Sequence, residues 1–197
     1  MEHRKIGFAF CGSFCTYSQA MEVLERVQSR YGDVLPIVSE AGAATDTRFG
    51  AAHDFMREME RICGRRVVDS IAKAEPIGPR HLLDVLVICP CTGNTLAKLA
   101  NGVTDTTVTM AAKAHLRNGG PGGDLPRHQR RSGGLGQEYR RTAGQEKPSI
   151  SSPFRQDDPA RKPTSLVADF SLVPAAIDAA LEGRQLQPVL LGPQEAD

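Results

Sequence analysis

No apolar run in this chain approaches the length of a membrane-spanning helix, which argues against a helical anchor. The opening residues show no signal-peptide pattern either. Met1-Glu2-His3-Arg4-Lys5 leads directly into a short strand-like run, so the expected location is the cytoplasm. Excess charge of one sign is absent. The net formal charge is +1, and no global field points to nucleic acid or a membrane surface. Apolar residues are scarce at 40% of 197, with a mean hydropathy of −0.30, and the deficit is local rather than uniform. The length suits one domain. There is no Gly-x-Gly-x-x-Gly and no P-loop, so the usual dinucleotide and triphosphate signatures are lacking. No Ser/His/Asp order, metal-spaced histidine pair or paired-carboxylate signature stands out.

Cysteine is present in odd number: Cys11, Cys15, Cys63, Cys89 and Cys91. Without a leader that argues for reduced thiols. Cys11 with Cys15 and Cys89 with Cys91 could together give four thiolates to zinc or an iron–sulfur cluster. Small semi-apolar residues at strand ends are the simpler reading.

What is there is an alternation of strands and helices. Ile6–Cys11 reads as a strand buried on both faces, and Gly12-Ser13 as its turn. Tyr17, Met21, Leu24 and Val27 recur at helical spacing up to Tyr31-Gly32. Val34–Val38 is a second strand ending at Ser39, followed by a small-residue loop over Glu40–Gly50. A polar helix spans about Asp54–Ile62 and stops near Gly64; Val67, Val68 and Ile71 leave their type open. Leu82–Cys89 is the next strand, followed by helices over about Thr95–Ala100 and Thr107–Leu116. Ser165–Ala168 and Pro174–Leu181 look helical, and Leu186–Leu191 is a short apolar tail. The order implies an α/β fold: a Rossmann-like, flavodoxin-type parallel sheet with helices on both faces.

One segment breaks the pattern. Gly119–Ser152 carries eight glycines from Gly119 to Gly144 and the arginines Arg127, Arg130, Arg131, Arg140 and Arg141. Its sizeable apolar residues are Leu125, Leu135, Tyr139 and Ile150, too few to offset the entropy of ordering it. It reads as an insertion without structure, as a basic nucleic-acid arm, or as a local reading-frame displacement, and the last is favoured. Gly122-Gly123-Asp124-Leu125 can be encoded so that reading one base later gives Val-Val-Ile, a buried strand. Treated likewise, Gln137–Lys147 gives Lys-Asn-Ile-Gly-Glu-Leu-Leu-Ala-Arg-Lys, a helix. The missing strand and helix then return where the alternation requires them.

Three stretches can bind a ligand. Cys11-Gly12-Ser13-Phe14-Cys15-Thr16-Tyr17 takes a strand through Gly-Ser into a helix, whose unpaired amides favour an anion, with Ser13 or Thr16 adding a hydroxyl. A helix cap without ligand fits the same residues. Ser39 and the loop Thr45-Asp46-Thr47-Arg48-Phe49 suit phosphate or ribityl contacts, and Arg48 can pair with an anion, although a plain surface loop explains them as well. Pro90–Thr95 ends the third strand. Asn94 offers donor and acceptor, and Thr92 and Thr95 offer hydroxyls, at the place where open parallel sheets bind ligands. Capping by Thr92 or Asn94 is the rival reading. His3 and His128 lie in poorly structured surroundings, while His53 and His115 are expected to be solvated. His81 is expected in a surface or packing role, and Glu75, ahead of it, in a solvated loop.

Together these stretches resemble the flavoprotein family that includes phosphopantothenoylcysteine decarboxylase, the lantibiotic cysteine decarboxylases and the flavin prenyltransferase. The matching pieces are Phe10-Cys11-Gly12-Ser13-Phe14, Asp46-Thr47-Arg48-Phe49, Ala74-Glu75-Pro76-Ile77-Gly78-Pro79, Cys91–Gly102 and Phe154-Arg155-Gln156-Asp157-Asp158-Pro159. The Glu-Pro-x-Gly-Pro and Gln-Asp-Asp-Pro pieces resemble the dipicolinate synthase branch. The resemblance implies FMN, bound by Gly12, Ser13, Phe14, Ser39, Arg48, Thr92, Asn94 and Thr95, in a homo-oligomer. It makes Asn94 and Thr92 the candidate catalytic residues facing the ring or substrate. It implies oxidative formation of pyridine-2,6-dicarboxylate from a dihydro- or hydroxy-tetrahydrodipicolinate precursor in sporulating bacteria. The implied partner is the nicotinamide-binding A subunit of that synthase; neither nucleic acid nor membrane is implied. The decarboxylases of the family carry a histidine ahead of the Pro-x-x-x-Asn-Thr strand. Here Glu75-Pro76-Ile77-Gly78 stands in that neighbourhood and His81 does not fit the spacing, so decarboxylation of a cysteine-derived substrate is the alternative.

Overall fold

The computed structural model describes residues 4–117, 128–130, 152–157, 160–162 and 165–192. Three parallel strands form its centre: β1 (Lys5–Phe10), β2 (Asp33–Val38) and β3 (Val85–Ile88), in the order β2-β1-β3. Ile6 is in register with Val34 on one side and Val85 on the other. Nearly every residue of these strands is buried, as expected of a sheet covered on both faces.

Successive side chains point to opposite faces, so the sheet sorts its residues into two cores. Ile6, Phe8 and Phe10 pack with α1 (Tyr17–Tyr31), α3 (Ala52–Cys63) and α7 (Val173–Leu181), through Leu24, Val27, Met59 and Ile177. Ala9, Leu86 and Ile88 pack with α5 (Gly93–Ala100) and α6 (Thr107–Arg117), through Leu96, Val108 and Ala111. Gly32 and Gly64 end α1 and α3 in the left-handed region, at φ of 78° and 65°, where a side chain would be strained. Burial on both faces thus confirms the α/β, Rossmann-like reading.

Several elements differ from expectation. The stretch Glu40–Gly50 opens with a short helix, α2 (Glu40–Ala44), because the Ser39 hydroxyl accepts from the Gly42 amide at 3.2 Å and caps it. Val68 continues the sheet beyond β2 as a single parallel bridge to Ile37, while Ile71 begins the one-turn helix α4 (Ile71–Ala74). β3 starts at Val85 because the Leu82 amide is held by the Ile77 carbonyl in a turn. Ser165–Ala168 is not helical. It is strand β6, antiparallel to β4 (His128–Arg130) and β5 (Phe154–Gln156). Long-range pairing decides four residues that are too few for a stable helix. The tail joins this second sheet by a bridge from Leu190 to Phe154. Of Gly119–Ser152, the backbone of 128–130 and residue Ser152 are described; the readings of the remainder, and His3, fall outside the described residues.

Candidate functional site

β1 lies between β2 and β3, so the connections from β1 and β3 diverge at their carboxyl ends and leave a crevice. Backbone hydrogen bonds join the three turns there. The Cys11 amide donates to the Pro90 carbonyl at 3.1 Å, and the Ser39 amide to the Phe10 carbonyl at 2.9 Å. The cap loops after all three strands are therefore held as one rim.

In the first turn, a methyl added at Gly12 would lie 3.6 Å from the Ala41 Cβ and 3.7 Å from the Phe14 ring, ordinary contacts. The Thr16 hydroxyl is committed to the Ser13 carbonyl at 2.8 Å, and Ser13 caps no helix through its side chain. The half-buried Phe14 ring packs on Tyr17 at 5.4 Å. In the second turn Ser39 is buried under the α2 cap. A Cβ at Gly42 would stand 2.5 Å from the Tyr17 hydroxyl and 2.7 Å from Val38, so only glycine lets α2 lie this close. That Tyr17 hydroxyl is itself buried without a hydrogen-bond partner, and burial, with the nearby Cys11 charge, pushes its pKa up.

The third turn separates the two polar candidates. Thr92 is the cap of α5, accepting from the Thr95 amide at 3.2 Å. Its hydroxyl donates to Thr95 Oγ1 at 3.0 Å, and Thr95 donates to Cys11 Sγ at 3.2 Å. Asn94 is not a cap; its side chain is exposed. The first helical bond of α5 is Leu96 to Thr92, so helix geometry leaves the Gly93 and Asn94 amides without intrahelical acceptors.

Other expectations part company with the site. Arg48 is exposed, its guanidinium stacked over Phe49 at 4.8 Å, and no hydrogen bond or ion pair among the described residues ties it to the rim. His53 is exposed beside Asp54, but His115 is 1% exposed, on the face of α6 that packs inward with Ala111 and Ala114. His81 sits exposed in a turn at φ 48°, and Glu75 is exposed. Cys15 is exposed while Cys11, Cys63, Cys89 and Cys91 are buried, and no metal-holding group of three or more His, Cys, Asp or Glu occurs among the described residues. No described helix is long and apolar enough to cross a membrane.

Two contacts escape the sequence. Glu40 accepts from the Thr107 amide at 2.9 Å and hydroxyl at 2.7 Å, tying α2 to the start of α6. Nothing in the order of residues signals a pair 67 positions apart. The second is a thiol pair. A hydrogen bond from Cys91 holds the Cys11 thiol below its ordinary pKa against the opposing effect of complete burial, and Thr95 adds to this. The positions just past two neighbouring strand ends are the available clue.

The family model described as Flavoprotein matches residues 1–123. The chain is 40% identical over 191 residues to the B subunit of dipicolinate synthase from Bacillus subtilis (strain 168), covering 97% of this chain and 95% of that protein. The crystal structure of the dipicolinate synthase B subunit from Bacillus halodurans C is similar, with a TM-score of 0.85, 40% identity and 96% of each chain covered. The FMN-dependent cysteine decarboxylase SpaF shares the fold at 19% identity, with a TM-score of 0.62 over 90% of this chain and 97% of its own. With the family model covering more than half of its residues, the chain belongs to the Flavoprotein family.

Proposed function

We propose that this chain is the FMN-binding subunit of a dipicolinate synthase, acting in the cytoplasm of a sporulating cell with a nicotinamide-binding partner protein. The observation that carries this reading is the joined rim. A glycine turn and two α5 amides without intrahelical acceptors meet at the switch point of a parallel sheet. Such a donor set fits a planar mononucleotide with an anionic tail. Gly12, Ser13 and Phe14 would line the flavin, Ser39 would lie near its phosphate, and Thr92, Asn94 and Thr95 would face the ring or substrate. Arg48 would have to turn from Phe49 to contribute.

FMN supplies a two-electron acceptor when bound. The protein's part is positional. The exposed Asn94 amide and the Gly93 and Asn94 N–H groups suit a substrate carboxylate, and Thr92 fixes the helix end that presents them. Cys11, Cys91 and Leu96 are fully buried beneath these turns. Assembly as a homo-oligomer belongs to this reading. Incubating the flavin-loaded protein and its nicotinamide-binding partner with the dihydro- or hydroxy-tetrahydrodipicolinate precursor tests it. Pyridine-2,6-dicarboxylate is the expected product; loss of CO₂ from a cysteine-derived peptide instead would support decarboxylation.

Residues 119–152 are, in our reading, a frame-displaced stretch rather than an insertion. In support, the match to the Bacillus subtilis relative spans nearly the full length of both chains, so the segment adds little length. Resequencing the gene checks this: compensating one-base shifts are expected around the segment, and an in-frame gene would remove the idea.

A further inference from the structure

The five cysteines are not equivalent. Cys89 faces the core beneath α1, whereas Cys11 and Cys91 share the opposite core beside α5. Both are completely buried, on the turns that follow two hydrogen-bonded strands. The Cys11 amide bonds to the carbonyl of Pro90, the residue before Cys91. Carried on from Ala9 and Ile88, the β1–β3 register sets Cys11 level with Pro90, one residue from Cys91, and the two thiols are hydrogen-bonded to each other. Cys91 contacts the Thr92 carbonyl through its sulfur at 3.6 Å, and Cys11 receives the Thr95 hydroxyl at 3.2 Å. We propose that Cys11 and Cys91 are a redox pair that peroxide converts to a reversible disulfide at the rim.

Cys11 is the attacking member. Hydrogen bonds from Cys91 and Thr95 favour its thiolate, whereas burial pushes the Cys63 thiol up to about 12 and leaves it inert. The Cys11 thiolate attacks one peroxide oxygen, the O–O bond breaks, and a sulfenic acid forms as hydroxide leaves. The Cys91 sulfur then attacks the sulfenic sulfur, the S–O bond breaks, and the S–S bond forms. The two thiol protons end in water: two thiols are oxidised and one peroxide becomes two waters. Peroxide is small enough to enter through a local opening that larger disulfides cannot use. The disulfide removes the thiolate that accepts from the Thr95 hydroxyl.

The inference does not rest on the flavin reading, and its test needs no flavin. The full-length protein is treated with hydrogen peroxide, denatured, alkylated and mapped by mass spectrometry. Expected is a Cys11–Cys91 linked peptide two hydrogens lighter than the reduced pair, abolished by dithiothreitol, with Cys63 and Cys89 still alkylated. Cys11→Ser should slow oxidation of Cys91 at least about tenfold, since Cys91 lacks the attacking partner. Full alkylation of Cys11 and Cys91 after peroxide, linkage through Cys15 or Cys89, or unchanged Cys91 oxidation in Cys11→Ser would each overturn it.

Discussion

The two sheets of this protein are held by different physics. In β2-β1-β3 almost every side chain is buried and apolar, and the strands run parallel between two helical layers. In β4-β6-β5 the described side chains of β5 are half-buried or exposed, and the pairing is antiparallel. Polar contacts around Asp169 supplement it. Asp169 pairs with Arg155 at 2.5 Å, accepts from the Ser171 amide at 3.0 Å, and receives the Ser152 hydroxyl on its carbonyl at 3.1 Å. Hydrophobic burial is cumulative and tolerant of partner identity; a polar junction depends on each one.

Truncation should show this contrast most strongly. Phe8→Ala, at a position with no exposure, should cost about 3–5 kcal/mol in denaturant unfolding. Leu166→Ala, in the half-buried β6, should cost less than about 1 kcal/mol. Equal losses would erase the distinction between the sheets.

Asp169→Ala should come next, at about 1.5–3 kcal/mol by the same measurement, because it removes charge-assisted bonds and leaves Arg155 unpaired. Burial raises the Asp169 pKa, but the Ser171 hydrogen bonds and the Arg155 charge outweigh that and hold it below the ordinary 3.8. Its contribution is therefore present above pH 3.8 and lost as pH falls through the depressed folded value. An acid titration of unfolding should lose this component in Asp169→Asn.

Thr92→Ala probes the rim, where the apolar sheet meets a polar cap. Loss of the α5 cap should cost about 1 kcal/mol and weaken flavin uptake, read by unfolding and by titration. Thr92→Ser should restore both.

The smallest effect near neutral pH belongs to Cys63. Its buried thiol, raised to about 12 from an ordinary 9.0, favours the neutral form in the folded protein. Its stabilisation is complete below pH 9.0 and fades as pH rises toward 12. Cys63→Ala should flatten the alkaline limb of the stability profile between pH 9.0 and 12.

The same division explains what can be read from the sequence. Ile6–Cys11, Val34–Val38 and the Tyr17–Val27 periodicity are dense apolar patterns, and the structure forms them within a residue or two at the ends. The three turns follow from the strand ends. Ser165–Ala168 reads wrongly as a helix because its conformation is set by partners far along the chain. The expected solvation of His115, the expected loop at Glu40 and the unforeseen Glu40–Thr107 contact fail for that reason too: tertiary neighbours decide them. Thr92 and Asn94 are legible as a pair, but only packing shows that Thr92 caps and Asn94 stays outside.

Titration of the purified protein with FMN, followed by quenching of flavin fluorescence, is the sharpest test of the rim. It is run on the chain as encoded and on its frame-restored version. Saturable uptake of one flavin per chain is expected in the frame-restored protein, weakened by Thr92→Ala and weaker in the chain as encoded. No saturable uptake by a well-folded frame-restored protein would contradict it.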